Sequence, residues 1–206
     1  TWGTPQEVRG VTALGHFGVL LNTVNPNIKS IRDFTEKDKI TVPAVKVSHQ
    51  AIVLAMAAAK EWGFEHWEKL DPLTLTMNAA DQTTGLLSGG GSFNTSFASI
   101  PFTVLQLKDP KVRTILNSWD IIGDITSSVL WSSKKFHDAN PKVYRAVVEA
   151  LKEATDIINS DKRRAVAYYI EDSKTNMSVD ELVGMLEEPH YGLNVTPVGV
   201  QHYADF

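Results

Sequence analysis

The segment ITVPAVKVSHQAIVLAMAAAKEWG, residues 40 to 63, constrains the fold more than any other part of the chain. Its first six residues, Ile40–Val45, are mostly β-branched or apolar and read as a buried strand. From Ser48 onward Ile52, Val53, Met56 and Ala59 recur at helical spacing, the alanines at 55 and 57 to 59 allow close packing on a sheet, and Gly63 stops the run. A strand feeding directly into a helix predicts a β-α unit. The polar turn between them, Lys46-Val47-Ser48-His49-Gln50, stands where such proteins hold anions, because the first helical N–H groups have no partner within the helix. Ser48 equally suits a plain N-cap, and the residues alone leave both roles open.

Neighbouring segments extend the pattern. Residues 11 to 24 read as one or two strands, and SIRDF carries Ser30 and Asp33 at capping-box spacing. Leu73–Met77 reads as a strand, Asp81–Leu87 as a helix closed by glycines 89 to 91, Ser92–Phe97 and Val112–Asn117 as strands, and Pro101 as a helix start. This alternation predicts a parallel sheet with helices on its faces. Residues 123 to 136 read as one long β segment. Beyond Asp138 the chain reads as helical or irregular: 138 to 159 with Pro141 near its start, a second helix capped by Ser160 or Asp161, and a third opened by a Ser178–Glu181 capping box.

Composition narrows the functions. With 206 residues, 43% apolar and 21% charged, the chain can bury a sizeable core. A net charge of −4 and no basic cluster interleaved with aromatics argue against a nucleic-acid surface. The absence of cysteine excludes disulfides, thiolate metal sites and thiol nucleophiles, and suits a reducing cytosol or an exported protein alike. No run approaches the roughly 20 apolar residues of a membrane span. The opening TWGTPQEVRG lacks a signal-peptide pattern, so any export signal is expected outside these residues. No Gly-x-Ser-x-Gly elbow occurs, and histidines 16, 49, 66, 137, 190 and 202 lack the i, i+4 spacing of a helical metal pair. EEPHY, 187 to 191, reads as a helix end, and the glycine triplet lacks the phosphate-loop pattern. What remains is a set of expected strand ends rich in hydroxyls and amides: Ser48 to Gln50, Asn78 to Asp81, Asn94 to Ser96, Ser99, Asn117-Ser118 and Thr126-Ser127. Ligands of open α/β sheets gather at strand carboxyl ends, so the pattern points to a receptor that binds and releases.

Three blocks carry a family resemblance: NIKSIRDFTEKDKITVPAVKVSHQAIVLAMAAAKEWG, residues 86 to 154 from LLSGGGSF to ALKEA, and the closing TPVGVQHYADF. Together they resemble nitrate/sulfonate/taurine-type solute-binding proteins of ABC importers. The resemblance implies a bilobal, Venus-flytrap α/β fold of the type II periplasmic-binding class. It implies a second lobe complete over 25 to 122 and a partial first lobe over 1 to 24 and 123 to 206, since such proteins carry roughly a hundred further first-lobe residues. Crossing strands are expected near Leu20–Val24 and Ile122–Thr126. Carried over by position, ligand contacts fall on Lys46, Ser48, His49 and Gln50, on Asn94, Thr95, Phe97 and Ser99, and on Gly123 and Thr126, with Lys46 favouring a sulfonate or carboxylate. The resemblance implies no catalysis, metal or cofactor, a small solute and an ABC permease as partners, a monomer without nucleic acid, and a periplasmic or membrane-anchored extracellular location. The membrane would be reached only through the transporter or a lipid anchor. Thiamine-pyrimidine-precursor synthases share the fold and form the alternative; their cysteine-bearing iron motif has no counterpart here. A cytosolic ligand-sensing domain would need a DNA-binding element that is missing.

Overall fold

A computed structural model describes residues 3–89, 91–188, 191–193 and 195–199. The chain divides into two compact units, Gly18–Gly123 and a second made of Thr1–Phe17 with Asp124–Gln201. We call them the sheet unit and the helical unit.

The sheet unit contains β2 (Val19–Thr23), β3 (Ile40–Val42), β4 (Thr74–Thr76), β5 (Thr95–Ser99) and β6 (Arg113–Asn117), in the order β4-β3-β5-β2-β6, while β1 (Val8–Phe17) belongs to the other unit. Strand β3 runs parallel to β4 and β5, whereas β2 runs antiparallel to β5 and β6. The sheet is therefore mixed, not wholly parallel as the alternation predicted. Residues 18 to 24, expected with the first lobe, belong to the sheet unit, and the chain passes between units at Phe17/Gly18 and Gly123/Asp124. Helices α1 (His49–Trp62), α2 (Ala79–Ser88), α3 (Phe102–Leu107) and α4 (Trp119–Ile122) complete the unit. The alanine-rich face of α1 is buried with Val53 and Leu54, and its end at Gly63 has φ 99°, a conformation costly for any side chain. Phe97, Leu21, Ile40 and Val42 form the centre of the sheet.

The helical unit has a three-stranded antiparallel sheet, β7 (Ser128–Ser133), β1 and β8 (Tyr191–Gly192) in the order β7-β1-β8. The expected β segment of 123 to 136 stops at Ser133, whose hydroxyl accepts from Phe136 N–H and so opens α5 (Lys134–Ala139). Helix α6 (Pro141–Ser160), α7 (Lys162–Ser173), capped by Asp161, and α8 (Val179–Leu186), with the expected Ser178–Glu181 box, follow. Strand β8 departs from the expectation that no strand follows Asp138; only its two pairs with His16 and Phe17 define it. His190, Asn194 and His202 lie outside the described residues, as does most of TPVGVQHYADF.

Candidate functional site

Strand polarity collects one set of loops at one edge of the sheet unit. The carboxyl ends of β3, β4, β5 and β6 meet there with the amino end of β2, as the register pairs Val19↔Ser99 and Leu20↔Asn117 require. From β3 the chain turns through α1 to β4 on one side, and from β5 through α3 to β6 on the other. The connections diverge between β3 and β5, the position at which open α/β sheets bind ligands.

The turn after β3 sits at this point. Pro43 ends the strand three residues before the sequence pattern does, because it has no N–H for the ladder. Ser48 N–H then donates to Ala44 O at 3.1 Å, and Val45 N–H donates to Thr76 Oγ1 at 3.2 Å, tying the turn to the end of β4. Lys46 takes a left-handed φ of 68°, unusual for a side chain with a Cβ. Its Nζ stands 3.7 Å from carboxylates of both Glu68 and Asp71, so its charge is compensated within the unit. Burial pushes the Asp71 carboxyl up, Lys46 holds it down and Glu68 raises it again, leaving it above its ordinary value. Ser48 Oγ accepts from Ala51 N–H at 3.2 Å and caps α1. Burial lowers the His49 imidazole to about 4, so at neutral pH it is an uncharged hydrogen-bonding group. Gln50 is only 8% exposed.

Other loops at the edge are held by their own hydrogen bonds. Ser118 Oγ accepts from Val19 N–H at 3.0 Å, and Asn117 Oδ1 from Trp119 N–H at 3.1 Å. A Cβ at Gly18 would stand 2.7 Å from the Trp119 indole nitrogen, so glycine is needed at that crossing. Ser99, at the carboxyl end of β5, is half-buried. Asn78 Oδ1 accepts from Asp81 N–H at 3.0 Å and starts α2, two residues before the sequence pattern does.

Strand β5 begins at Thr95 and ends at Ser99, so the expected site residues on it are split. Phe97 is fully buried in mid-sheet. Asn94 and Thr95 lie at the amino end of β5, level with Ile40 and opposite the edge that carries Ser48 and Ser99. There Asp38 gathers the loop: Oδ1 accepts from Asn94 at 2.6 Å and Asn25 at 3.1 Å, and Oδ2 from the Thr35 N–H and hydroxyl, both at 2.8 Å. Burial alone would raise this carboxyl, but these donors outweigh it and hold it below its usual value. The Arg113 guanidinium adds bonds to the carbonyls of Asn25 and Ile28. Asn94 and Thr95 thus close a loop onto the sheet. Gly123, with φ 76°, ends α4 in the sheet unit. Thr126 is in the helical unit, where its N–H donates to Val198 O at 2.8 Å and its Oγ1 accepts from Val198 N–H at 2.9 Å.

A buried amide chain escaped the sequence reading. Asn22 Nδ2 donates to Gln106 Oε1 at 2.9 Å; Gln106 Nε2 donates to Thr83 Oγ1 and Ser96 Oγ at 3.1 and 3.0 Å; Ser96 Oγ donates to Gln82 Oε1 at 2.8 Å. Gln82 Nε2 then donates to Met77 O at 2.7 Å, one residue before the α2 cap. The chain fixes α2 and α3 to the sheet and holds the start of α2 at the carboxyl edge. Its signal in the sequence was polar residues inside apolar patterns, Asn22 within VLLNT above all. Among the described residues no cluster of acidic and imidazole side chains is arranged for a metal ion, and no helix is long and apolar enough to cross a membrane.

This topology is that of the periplasmic-binding-protein fold, and solved structures of that fold superpose on nearly the whole chain. The aliphatic sulphonate binding protein SsuA of Escherichia coli matches with a TM-score of 0.66 at 17% identity, over 98% of this chain and 65% of that one. A Candida albicans protein, described as having the generic periplasmic binding protein fold, matches with a TM-score of 0.72 at 12% identity, over 98% and 66%. The alkanesulfonate-binding SsuA of Xanthomonas axonopodis pv. citri, bound to MOPS, matches with a TM-score of 0.66 at 14% identity, over 95% and 69%. The chain therefore spans about two thirds of the length of these structures. No protein-family model matches it, and no curated protein matches it by sequence.

Proposed function

We propose that this chain is the major part of a solute-binding component of an ABC importer, working outside the cytoplasmic membrane with a permease as partner and without catalysis of its own. The single observation that supports this most is the match of nearly the whole chain to sulfonate-binding proteins in fold, combined with a carboxyl edge whose loops are already fixed by internal bonds. A preformed rim of neutral donors suits binding and release, because little ordering is left to offset the affinity gained. The solute is a small anion of sulfonate, nitrate, taurine or aromatic carboxylate type. Its contacts fall to the start of α1, at Ser48, His49 and Gln50, and to Ser99. Lys46, paired with Glu68 and Asp71, shapes the turn and supplies at most a distant charge. The negative charge of the solute is then met by backbone N–H groups and the helix start, each charge-assisted bond contributing roughly 1.5 to 3 kcal/mol.

A thermal-shift panel of alkanesulfonates, taurine, nitrate and aromatic carboxylates tests the reading. A true solute at a hundred times its Kd stabilises by about 2.7 kcal/mol and raises the melting temperature visibly. Silence from every anion would defeat the solute class. Ser48→Ala with Gln50→Ala should weaken binding at least tenfold, about 1.4 kcal/mol, while the far-UV spectrum is kept; unchanged affinity would remove the turn from the site.

A further inference from the structure

The carboxyl edge of the sheet unit is polar at one end and apolar at the other. Strands β3, β5, β2 and β6 are neighbours in that order. The β3 side carries the Ser48 to Gln50 turn, and Ser99 follows on β5. Beyond them the register turns apolar. Ser99 pairs with Val19, and Val19 exchanges bonds with Ser118, so one residue further out Gly18 stands between Ile100 and Trp119. All three are half-buried. The indole lies across the end of β2, since a Cβ on Gly18 would be 2.7 Å from its nitrogen and 2.8 Å from Cδ1. Its backbone is fixed as well: Trp119 N–H donates to Asn117 Oδ1 at 3.1 Å, Trp119 O accepts from Gly123 N–H at 3.1 Å, and the neighbouring Asp120 O accepts from Lys60 Nζ at 2.9 Å. A rigid aromatic surface that needs no ordering on contact is an efficient recognition element.

We propose that Trp119 is a specificity-determining residue of this edge, and that it selects solutes carrying a flat apolar body beside their charged group, of which an arylsulfonate is the type. The inference rests on the reading of the chain as an anion-binding receptor and narrows its solute class. Two strand spacings, roughly 10 Å, separate the turn after β3 from the end of β2 over which the indole lies. A bicyclic arylsulfonate covers that span, with its charged end toward Ser48 to Gln50 and Ser99 and its rings against Trp119 and Ile100. Nitrate and taurine are too short to reach both ends and would leave the indole in water. The ring surface gives more than area, because an indole and a second flat ring attract through their opposed edge and face charges. Gly18 belongs to the same device: any side chain there would displace the indole.

The test titrates the full chain with naphthalene-2-sulfonate and with hexane-1-sulfonate, which is of similar length and charge but has no flat face. The naphthalene compound should bind roughly three- to tenfold more tightly. Trp119→Ala should abolish that ratio, and Trp119→Phe, which keeps a ring, should retain most of it. A measurement on the unsubstituted protein guards against misfolding of the alanine variant: with 5-fluorotryptophan incorporated, the fluorine resonance missing from the Trp119→Phe spectrum should move on adding naphthalene-2-sulfonate and stay in place with hexane-1-sulfonate. Equal affinities, or a Trp119 resonance that ignores the rings, would overturn the proposal while leaving the receptor reading intact. So would an equal loss of both solutes in Trp119→Ala, which would make Trp119 a structural residue only. Binding of neither sulfonate would overturn the proposal together with the sulfonate reading on which it rests.

Discussion

The two units solve the same folding problem to different degrees. In the sheet unit the largest fully buried side chains run from Phe97 and Leu21 to Leu54 and Leu86, and even the polar Gln82, Gln106 and Asn22 are sealed and satisfied. The helical unit buries Ala13, Ile125, Val166, Leu182 and Met185 but leaves Val129, Trp131, Phe136 and Tyr168 in solvent. Both obey the same local rules, with helices starting on Ser48, Asn78, Ser133, Asp161 and Ser178. The difference teaches that capping and periodicity suffice to draw elements, whereas a core requires a second layer to pack against.

The largest effect that separates the units comes from cutting one apolar side chain in each. Phe97→Ala should cost roughly 3 to 5 kcal/mol, through lost transfer energy and the cavity left in mid-sheet. Val147→Ala, on an exposed stripe, should stay within about 0.5 kcal/mol. Urea denaturation followed by amide exchange in each unit measures both. A cost above about 2 kcal/mol for Val147→Ala would break the contrast, because it would mean that the α6 stripe is covered in solution.

How much of this was legible in the sequence depended on range. Caps were legible because they are local: Ser30 with Asp33, Ser48, and Ser178 with Glu181 all act within four residues. Strand limits were less so. Residues 92 to 97 read as a strand that presents its polar tip to a ligand, but the strand runs from Thr95 to Ser99, and this shift carries Asn94 and Thr95 to the opposite edge. Antiparallel insertion of β2 between β5 and β6 was invisible, since its partners lie some seventy or more residues away and no local pattern encodes them. Lys46 read as a site cation because Glu68 and Asp71 meet it only once β4 is placed beside β3. Ser133 reads as strand and is the last residue of β7, but its hydroxyl also opens α5 and so ends the β segment three residues before the pattern does.

A smaller effect should be confined to the sheet unit and to acid. His49 is held near 4 by burial in the folded turn, against 6.5 when unconstrained. Between those values the unfolded chain takes up a proton that the folded turn refuses, so stability falls as pH drops below 6.5. At pH 4.5 the loss is at most about 2.5 kcal/mol. His49→Gln should flatten this limb, and urea midpoints at pH 7 and 4.5 for both proteins measure it. An equal fall in the variant would assign the acid sensitivity to other groups. Below 3.8 a second decline should follow, as Asp38 is protonated and its four bonds are lost; its depressed value means that its contribution is present above 3.8 and disappears below.

The smallest effect sharpens the comparison most. Ser48→Ala and Ser178→Ala each remove a hydroxyl that accepts one helix N–H, Ala51 in the first case and Glu181 in the second, and each should cost about 1 kcal/mol. The two losses should be expressed differently. Helix α1 is backed by Val53, Leu54, Ala57 and Ala58, so its protected amides exchange through large openings, and Ser48→Ala should lower their protection by the same factor as it lowers global stability. Helix α8 is backed by Leu182 and Met185 alone among its buried residues, in a unit with an open face. Ser178→Ala should therefore raise exchange roughly fivefold in α8 while α1 and β5 stay unchanged. Exchange rising together in both units after Ser178→Ala would show that they unfold as one cooperative body, and the contrast between a sealed region and an open one would then be a matter of burial and not of stability.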